Sequence, residues 1–475
     1  MDFIQQKLID PVSTVLWTYV LVYVLVAAGV YFTIRTRFVQ LRYFGRMLSQ
    51  LRNSRSGEGI SSFQAFCVGL ASRVGTGNIA GVAIALTLGG PGAVFWMWVV
   101  AALGMATALI EATLGQLFKV RADDGSFRGG PAFYIERGLG SRAGGVVFAV
   151  LLVFTFGIAF NMVQANAISD VLQGAHEVSP TWTSLGLLVL SAPVLFGGLR
   201  RVARVAEVVL PLMALLYVLL ALTIVVLNIG ELPGVLGQIV GGAFGVREMA
   251  GGFTGGVAAA LLNGVKRGLF SNEAGMGSAP NVAATATVSH PVKQGLIQSL
   301  GVFVDTMIIC SATAFIILVS GVYRPADSGM QGATLTQSAV AANLGSWTMA
   351  LMTVLVFTFA FSSVLGNYAY AEVNLFFLGA RQSAITAFRV AVLVAVALGA
   401  LSELDLVWAV ADVAMGLMAL VNLVAIVLLG KWAFAALRDY QRQAAAGEDP
   451  VFIASDAGLP GALPGDVWQR QHDRA

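Results

Sequence analysis

Apolar runs of about 20 residues or more, separated by short polar or charged stretches, recur along the chain from residue 12 to residue 430. A run of that length crosses the ~30 Å hydrocarbon core of a bilayer as a helix. The pattern therefore predicts eleven membrane-spanning helices, at 12–34, 61–88, 91–118, 144–172, 181–198, 204–228, 252–288, 294–322, 347–378, 383–402 and 406–430. The first run is followed, not preceded, by a basic cluster and exceeds the ~7–15 apolar residues of a secretory signal, so it reads as a permanent span. Residues 231–250, ELPGVLGQIVGGAFGVREMA, are too interrupted by glycine to span and are expected on the outer surface. After Lys431 the chain turns charged and small, which predicts a short interfacial helix and then a flexible cytoplasmic tail to residue 475.

Two of the predicted spans resist a continuous helix. The second carries Arg73-Val74-Gly75-Thr76-Gly77-Asn78 at mid-depth, and the seventh carries Ser271-Asn272-Glu273-Ala274-Gly275-Met276-Gly277-Ser278. Glycine disfavours helix by about 1 kcal/mol relative to alanine, and Asn and Ser offer the backbone competing hydrogen bonds. Glycine patches also serve close helix packing, but Asn78, Asn272 and Glu273 are costly inside a membrane unless partnered, which favours a ligand site. The interruptions lie five spans apart, so residues 61–230 and 251–430 form two five-helix sets, each opened by a broken helix, behind an extra N-terminal helix with its loop (1–60). Because five is odd, the sets insert with opposite orientation, the inverted repeat of secondary transporters with its site between the breaks. Half-helix N-termini suit a carboxylate and freed carbonyls suit a small cation, so an amino acid with Na+ is the simplest ligand set.

Composition narrows the alternatives. Of 475 residues 57% are hydrophobic and 11% charged, against about 25% charged in a soluble domain, which excludes a soluble enzyme or nucleic-acid binder. Of the 28 basic residues, 22 fall on one side of the predicted alternation and only Lys7, Arg247 and Arg324 on the other. The positive-inside rule then sets the N-terminus outside and the C-terminus in the cytoplasm. Arg73, Lys266 and Arg267 remain inside apolar runs, as do Glu111, Asp305 and Glu372. Arg73 is expected to pair with Glu273 or another carboxylate, or to act as a fixed cation, and Lys266 and Arg267 with Asp305 or Glu111. Cys67 and Cys310 read as buried apolar side chains, and His176, His290 and His472 lie at helix ends or in tails, which weakens proton-relay and metal readings. A channel lacks the expected ring of like charges, and an embedded enzyme lacks clustered nucleophiles or metal ligands, so neither enzyme activity nor a cofactor beyond a coupling ion is expected.

The strings GTGNIAGVA, GGPGAVFWMW, GMATALIEA, GGPAFYIERGLG, NMVQAN and KRGLFSNEAGMGSAP are similar to the signatures of the alanine or glycine:cation symporter family, of the amino acid-polyamine-organocation superfamily with the leucine-transporter fold. The resemblance covers residues 60 to 430 and implies Na+-coupled uptake of a small neutral amino acid across the plasma membrane, with a proton-coupled carrier of the same fold as the alternative. It implies that Thr76, Gly77 and Asn78 hold the substrate from one side and Gly275, Met276, Gly277 and Ser278 from the other, with Gln164, Phe160 and Asn161 walling the pocket. The first break also resembles that of sodium-coupled neurotransmitter-type transporters, which implies Na+ ligands in the carbonyls of Ala71 and Val74 and the hydroxyls of Ser362 and Ser363. Paired hydroxyls on one turn also commonly satisfy their own helix backbone. Two positions depart from the family pattern: Asn367 stands where many members carry Trp, and Arg73 where they carry a small or acidic residue. An amide in place of an indole implies a larger, more polar pocket that accepts glutamine as well as alanine, glycine or serine.

Overall fold

Helices form where the apolar runs predict them, because in lipid a helix alone satisfies its own backbone within one segment. They are α1 (Asp10–Arg35), α2 (Ser62–Arg73), α3 (Gly77–Gly89), α4 (Gly92–Leu117), α5 (Arg142–His176), α6 (Pro180–Leu195) and α7 (Leu199–Leu227). There follow α8 (Leu232–Ala243), α9 (Gly255–Asn272), α10 (Ala279–Ala283), α11 (Pro291–Val319), α12 (Thr348–Phe377), α13 (Gln382–Leu401) and α14 (Leu404–Ala445). The computed structural model describes residues 5–52, 60–122, 125–196, 199–245, 255–324 and 331–469. Arg55, Arg247, Arg470 and Arg474 of the orientation argument lie outside them, as do His472, 246–250 of the predicted surface segment and 252–254 of the seventh span. Among the described residues seven helices are long and apolar enough to cross a membrane, or nine if each bent pair counts as one span. One bent pair is α2 with α3, at 48°; the other is Pro211–Leu227 with Ile229–Ala243, at 79°. The glycine-rich stretch expected only to lie on the surface is thus largely helical in α8, bent sharply off α7.

Capping explains where the first broken helix starts. Ser61 and Gln64 form a reciprocal capping box, the Ser61 hydroxyl accepting from the Gln64 amide and the Gln64 side chain from the Ser61 amide. Next to it the Thr287 amide donates to the Ile60 carbonyl at 3.1 Å, tying the start of α2 to the chain that follows α10. A two-residue antiparallel hairpin, Val120–Arg121 with Phe127–Arg128, and an isolated parallel bridge between Ile60 and Ala286 are the β-structure among the described residues.

The C-terminal end corrects two expectations. The last span does not stop near residue 430: α14 runs unbroken for 42 residues to Ala445, and no separate interfacial helix follows it among the described residues. Residues 449–469 are docked against the protein. Trp468 is 8% exposed and its indole donates to the Gln116 carbonyl at 2.9 Å. Phe452, 4% exposed, donates its amide to the Ser289 carbonyl at 2.8 Å and meets the His290 ring edge-on. The missed signal is two large apolar residues in an otherwise polar tail, which have a binding slot to fill. Trp468→Ala removes that anchor, a truncation that costs about 3–5 kcal/mol in well-packed sites. Amide hydrogen exchange over 449–469 is expected to accelerate strongly, with the helices unaffected.

A second handle on the same dock is pH. His290 Nδ1 accepts the Val292 amide at 3.2 Å, which requires that nitrogen to be unprotonated, and Nε2 faces Asp439 Oδ2 at 3.3 Å. Burial lowers the His290 pKa below its ordinary 6.5. A base depressed in the folded state stabilises it above the unfolded pKa, and that contribution fades as pH falls through the folded value. Acidification below about pH 6.5 is therefore expected to loosen the tail, read by the same exchange measurement; unchanged protection between pH 8 and 5 would contradict it.

Candidate functional site

Both glycine-asparagine stretches break their helices. At the first, Val74 leaves the helical region with ψ 86°, while its amide still donates to Leu70 O at 2.7 Å. The next two amides find side chains instead: Gly75 N–H donates to Asn78 Oδ1 at 3.0 Å and Thr76 N–H to Gln164 Oε1, on α5, at 3.2 Å. The Thr76 hydroxyl is buried and has no hydrogen-bond partner among the described residues. A buried orphan hydroxyl at a helix break is an unmet polar group of the kind a ligand fills.

At the second break α9 ends at Asn272. Glu273, Gly275 and Gly277 then take left-handed φ values of 58°, 91° and 84° before α10 begins. Glycine adopts such values freely, so Gly275 and Gly277 are conformational requirements here, whereas Glu273 holds its turn through side-chain bonds. Glu273 accepts from Ser72 at 2.9 Å and from Ser278 at 2.5 Å. The unwound backbone is satisfied by protein, as a low-dielectric setting demands: Gly275 N–H donates to Glu111 at 3.2 Å, and Asn422 Nδ2 donates to Gly275 O at 2.9 Å and to Glu111 at 3.0 Å. Tyr134 in turn donates to Asn422.

The two breaks lie against each other. A Cβ on Gly77 would sit 2.9 Å from the Phe270 ring and 3.2 Å from the Ser271 backbone, so only glycine permits the approach. Asn78 Nδ2 reaches Asp305 Oδ1 at 2.6 Å and Ser271 Oγ at 3.3 Å; Ser271 also bonds Asp305, and Thr306 donates to it at 3.0 Å. Asp305, fully buried, is thus the hub that ties α3, α9 and α11 together, with no cation within 4 Å among the described residues. On the far side of the first break, Ser363 Oγ on α12 bonds Ala71 O at 2.8 Å, while Ser362 Oγ bonds Phe359 O of its own helix at 2.8 Å. Asn367 accepts from Ser72 at 2.8 Å and donates to Asn161 at 2.9 Å. Phe160, Phe270 and Trp408 form a row of mutually tilted rings with centroids 4.5 Å apart at each step.

The expected ion pairs are redrawn. Arg267 and Lys266 meet neither Asp305 nor Glu111 but Asp412 on α14, at 2.6 and 3.8 Å. Arg267 lies four residues before Ser271, which reaches Asp305, so it stands about one helical turn away along α9. Arg73 forms no bridge to Glu273: its guanidinium donates to Gln298 Oε1 at 3.0 Å and to the Gln298 carbonyl at 3.4 Å, 2% exposed, in room left by Gly301. It is a buried cation held by a neutral amide. Asp412, Asn422, Tyr134 and Gln298 were not anticipated. Asp412 and Asn422 are isolated polar residues in an apolar run, a signal that points to a partner across the bundle.

The sequence matches the family described as the sodium:alanine symporter family over residues 1–454. The amino-acid carrier protein AlsT of Bacillus subtilis is 48% identical over 476 residues, covering 100% of both chains. The probable sodium/glutamine symporter GlnT of the same organism is also 48% identical, covering 95% of this chain and 94% of its own. Among solved structures, MhsT in complex with L-phenylalanine superposes with a TM-score of 0.60 at 14% identity, over 81% of this chain and 93% of that one. At that identity the likeness is one of fold.

Proposed function

The chain belongs to the sodium:alanine symporter family, a family of membrane transporters, and on that premise we propose that it imports alanine, glycine and related small neutral amino acids together with Na+ by alternating access. The observation that carries the reading is the contact between two broken helices, each with its polar break against the other. Half-helix ends meeting at the two breaks offer both polarities that a zwitterion and a cation need, and the Thr76 hydroxyl adds an unfilled polar group.

In this reading the substrate lies between Thr76, Gly77 and Asn78 on one side and Gly275, Met276, Gly277 and Ser278 on the other. The unpaired Thr76 hydroxyl and the Gln164 amide face it. Na+ takes the carbonyls of Ala71 and Val74 and the Ser363 hydroxyl, hard oxygen donors of the kind it prefers. Ser362, bonded to its own turn, is the weaker ligand. The architecture is eleven spans in the inner membrane, N-terminus outside and C-terminus inside, with two inverted five-helix sets behind an additional first helix. Proton coupling is the second reading, favoured by Asp305 and Glu273, buried carboxylates without a cation within 4 Å among the described residues.

Labelled alanine taken up by proteoliposomes is expected to depend on an inward Na+ gradient and to speed up in counterflow. Uptake that persists in choline and follows a pH gradient would replace Na+ by H+, and the lack of counterflow would remove the carrier reading. Asn367, bonded to Ser72 and Asn161, offers polarity without the bulk of an indole. Excess unlabelled glutamine and serine are therefore expected to inhibit alanine uptake; no inhibition by glutamine would remove the enlarged pocket.

A further inference from the structure

The end of α1 is built unusually. Arg37 and Phe38 both adopt left-handed backbone with φ 55°, although neither is glycine. Such residues are uncommon and gather where the surrounding structure has a use for the strained turn. The turn is closed by Phe38 N–H on Thr33 O at 2.8 Å and by the Thr36 hydroxyl on Phe32 O at 2.8 Å. Its result is a recess of about 470 Å³ bordered by Arg35, Arg37 and Arg438, with Thr36, Gln441 and the Phe434 ring. Arg35 is held over that ring, 5.0 Å from its centroid.

Three guanidiniums in one recess repel one another unless an anion joins them. Among the described residues none of the three has a carboxylate within 4 Å. The acidic neighbour of Arg438, Asp439, is turned onto His290 and Arg442 instead. The flanks of the recess are apolar and open: Ile34 is 60% exposed, Phe38 53% and Leu41 75%. An α1 of membrane-crossing length ends here, so the recess stands at the level of lipid headgroups with acyl chains alongside Ile34. Planar guanidinium forks match phosphate oxygens in pairs, and basic recesses at helix ends are a recurrent form of anionic-lipid site.

We propose that the Arg35–Arg37–Arg438 recess binds the phosphodiester headgroup of an anionic phospholipid, whose apolar chains run along the exposed face of α1. The site is separate from the transport pathway and does not depend on which ion or amino acid is carried.

Full-length protein in nanodiscs of phosphatidylcholine with graded phosphatidylglycerol, analysed by native mass spectrometry for retained lipid, tests this. Wild type is expected to keep phosphatidylglycerol in preference to phosphatidylcholine. The triple variant Arg35→Gln, Arg37→Gln, Arg438→Gln is expected to lose that preference by roughly 100-fold, since each arginine near an anionic surface contributes about fivefold. Lys431→Gln removes an exposed charge from the same helix outside the recess and is expected to leave the preference unchanged. If the triple variant does not fold, Arg37→Gln alone is expected to lose about fivefold. Retention equal to wild type in the arginine variants, or a loss in Lys431→Gln as large as theirs, would overturn the site. Inorganic phosphate displacing the lipid from wild type at millimolar concentration would also overturn it, marking the recess as a site for soluble phosphate.

Discussion

Gly75→Ala is expected to abolish alanine uptake in a protein that still folds and reaches the membrane. A Cβ at this position would lie 2.2 Å from Ser363 Oγ, closer than any tolerable contact, and a tight 3.1 Å from Gln164 Oε1. Ser363 cannot yield without cost, because its hydroxyl holds the Ala71 carbonyl at 2.8 Å and Phe359 O at 3.1 Å. Overpacking by one methyl costs about 1–3 kcal/mol, below the ~5–15 kcal/mol that holds a typical domain together, so folding survives. Function does not: a displacement of about 1 Å in a positioned site costs roughly 100-fold or more, and this one disturbs the proposed Na+ ligands and the Gln164 contact to Thr76 together. Two companions separate the causes. Ser363→Ala leaves Gly75 undisturbed and is expected to raise the Na+ concentration needed for half-maximal uptake, with little change in stability. Gly75→Ala with Ser363→Gly relieves the clash, so alanine binding returns while the weak Na+ response stays. Wild-type uptake by Gly75→Ala would show that this approach of α12 is not part of the working site, and an unchanged Na+ response in Ser363→Ala would remove that hydroxyl from the ion site.

The breaks were legible because their signal is local. Gly75, Gly77, Gly275 and Gly277 beside Asn78, Asn272 and Glu273 oppose helix within a few residues, and hydrocarbon gives an opened backbone few ways to be satisfied. The partners were not legible, because they are set by rotation about helices whose packing the hydropathy pattern leaves free. Arg73 was expected on Glu273 and found on Gln298; Lys266 and Arg267 were expected on Asp305 or Glu111 and found on Asp412. Lys266 and Arg267 do form ion pairs, but with a different carboxylate, whereas Arg73 meets a neutral amide where a carboxylate was expected. The partners of Asn78 were not legible either: its amide is engaged by Asp305, Ser271 and the Gly75 amide, and the Thr76 hydroxyl beside it is the open group. The tail was misread for another reason. Composition describes an average, and residues 432–475 average to a solvated segment although Phe452 and Trp468 are two buried anchors.

Asp412→Leu is expected to destabilise the protein more than Arg267→Leu, and the double variant less than either. Asp412 Oδ2 faces two cations, Arg267 at 2.6 Å and Lys266 at 3.8 Å, with Arg267 3% and Asp412 5% exposed. Removing one partner of a buried pair leaves an uncompensated charge and costs about 3–5 kcal/mol, whereas replacing both by apolar groups is often neutral or better. With Arg267 gone, Lys266 still neutralises Asp412, which places that variant at the low end of the range. With Asp412 gone, Arg267 and Lys266 face each other, and Arg267 retains only the Trp408 ring, 4.4 Å from its Cζ. A cation–π contact of about 2 kcal/mol when desolvated does not offset that loss. The order is read from detergent-solubilised protein as the temperature at which monodisperse material is lost, since a polytopic protein is better ranked by thermal survival than by an equilibrium unfolding energy. The Trp17 indole donates to the Asp412 carbonyl at 3.1 Å, so all three variants keep the backbone tie between α1 and α14 and differ only in charge and side-chain packing. If Arg267→Leu proves as damaging as Asp412→Leu, Lys266 does not share the carboxylate. If the double variant is the worst of the three, the pair is a net source of stability and not a buried charge awaiting compensation.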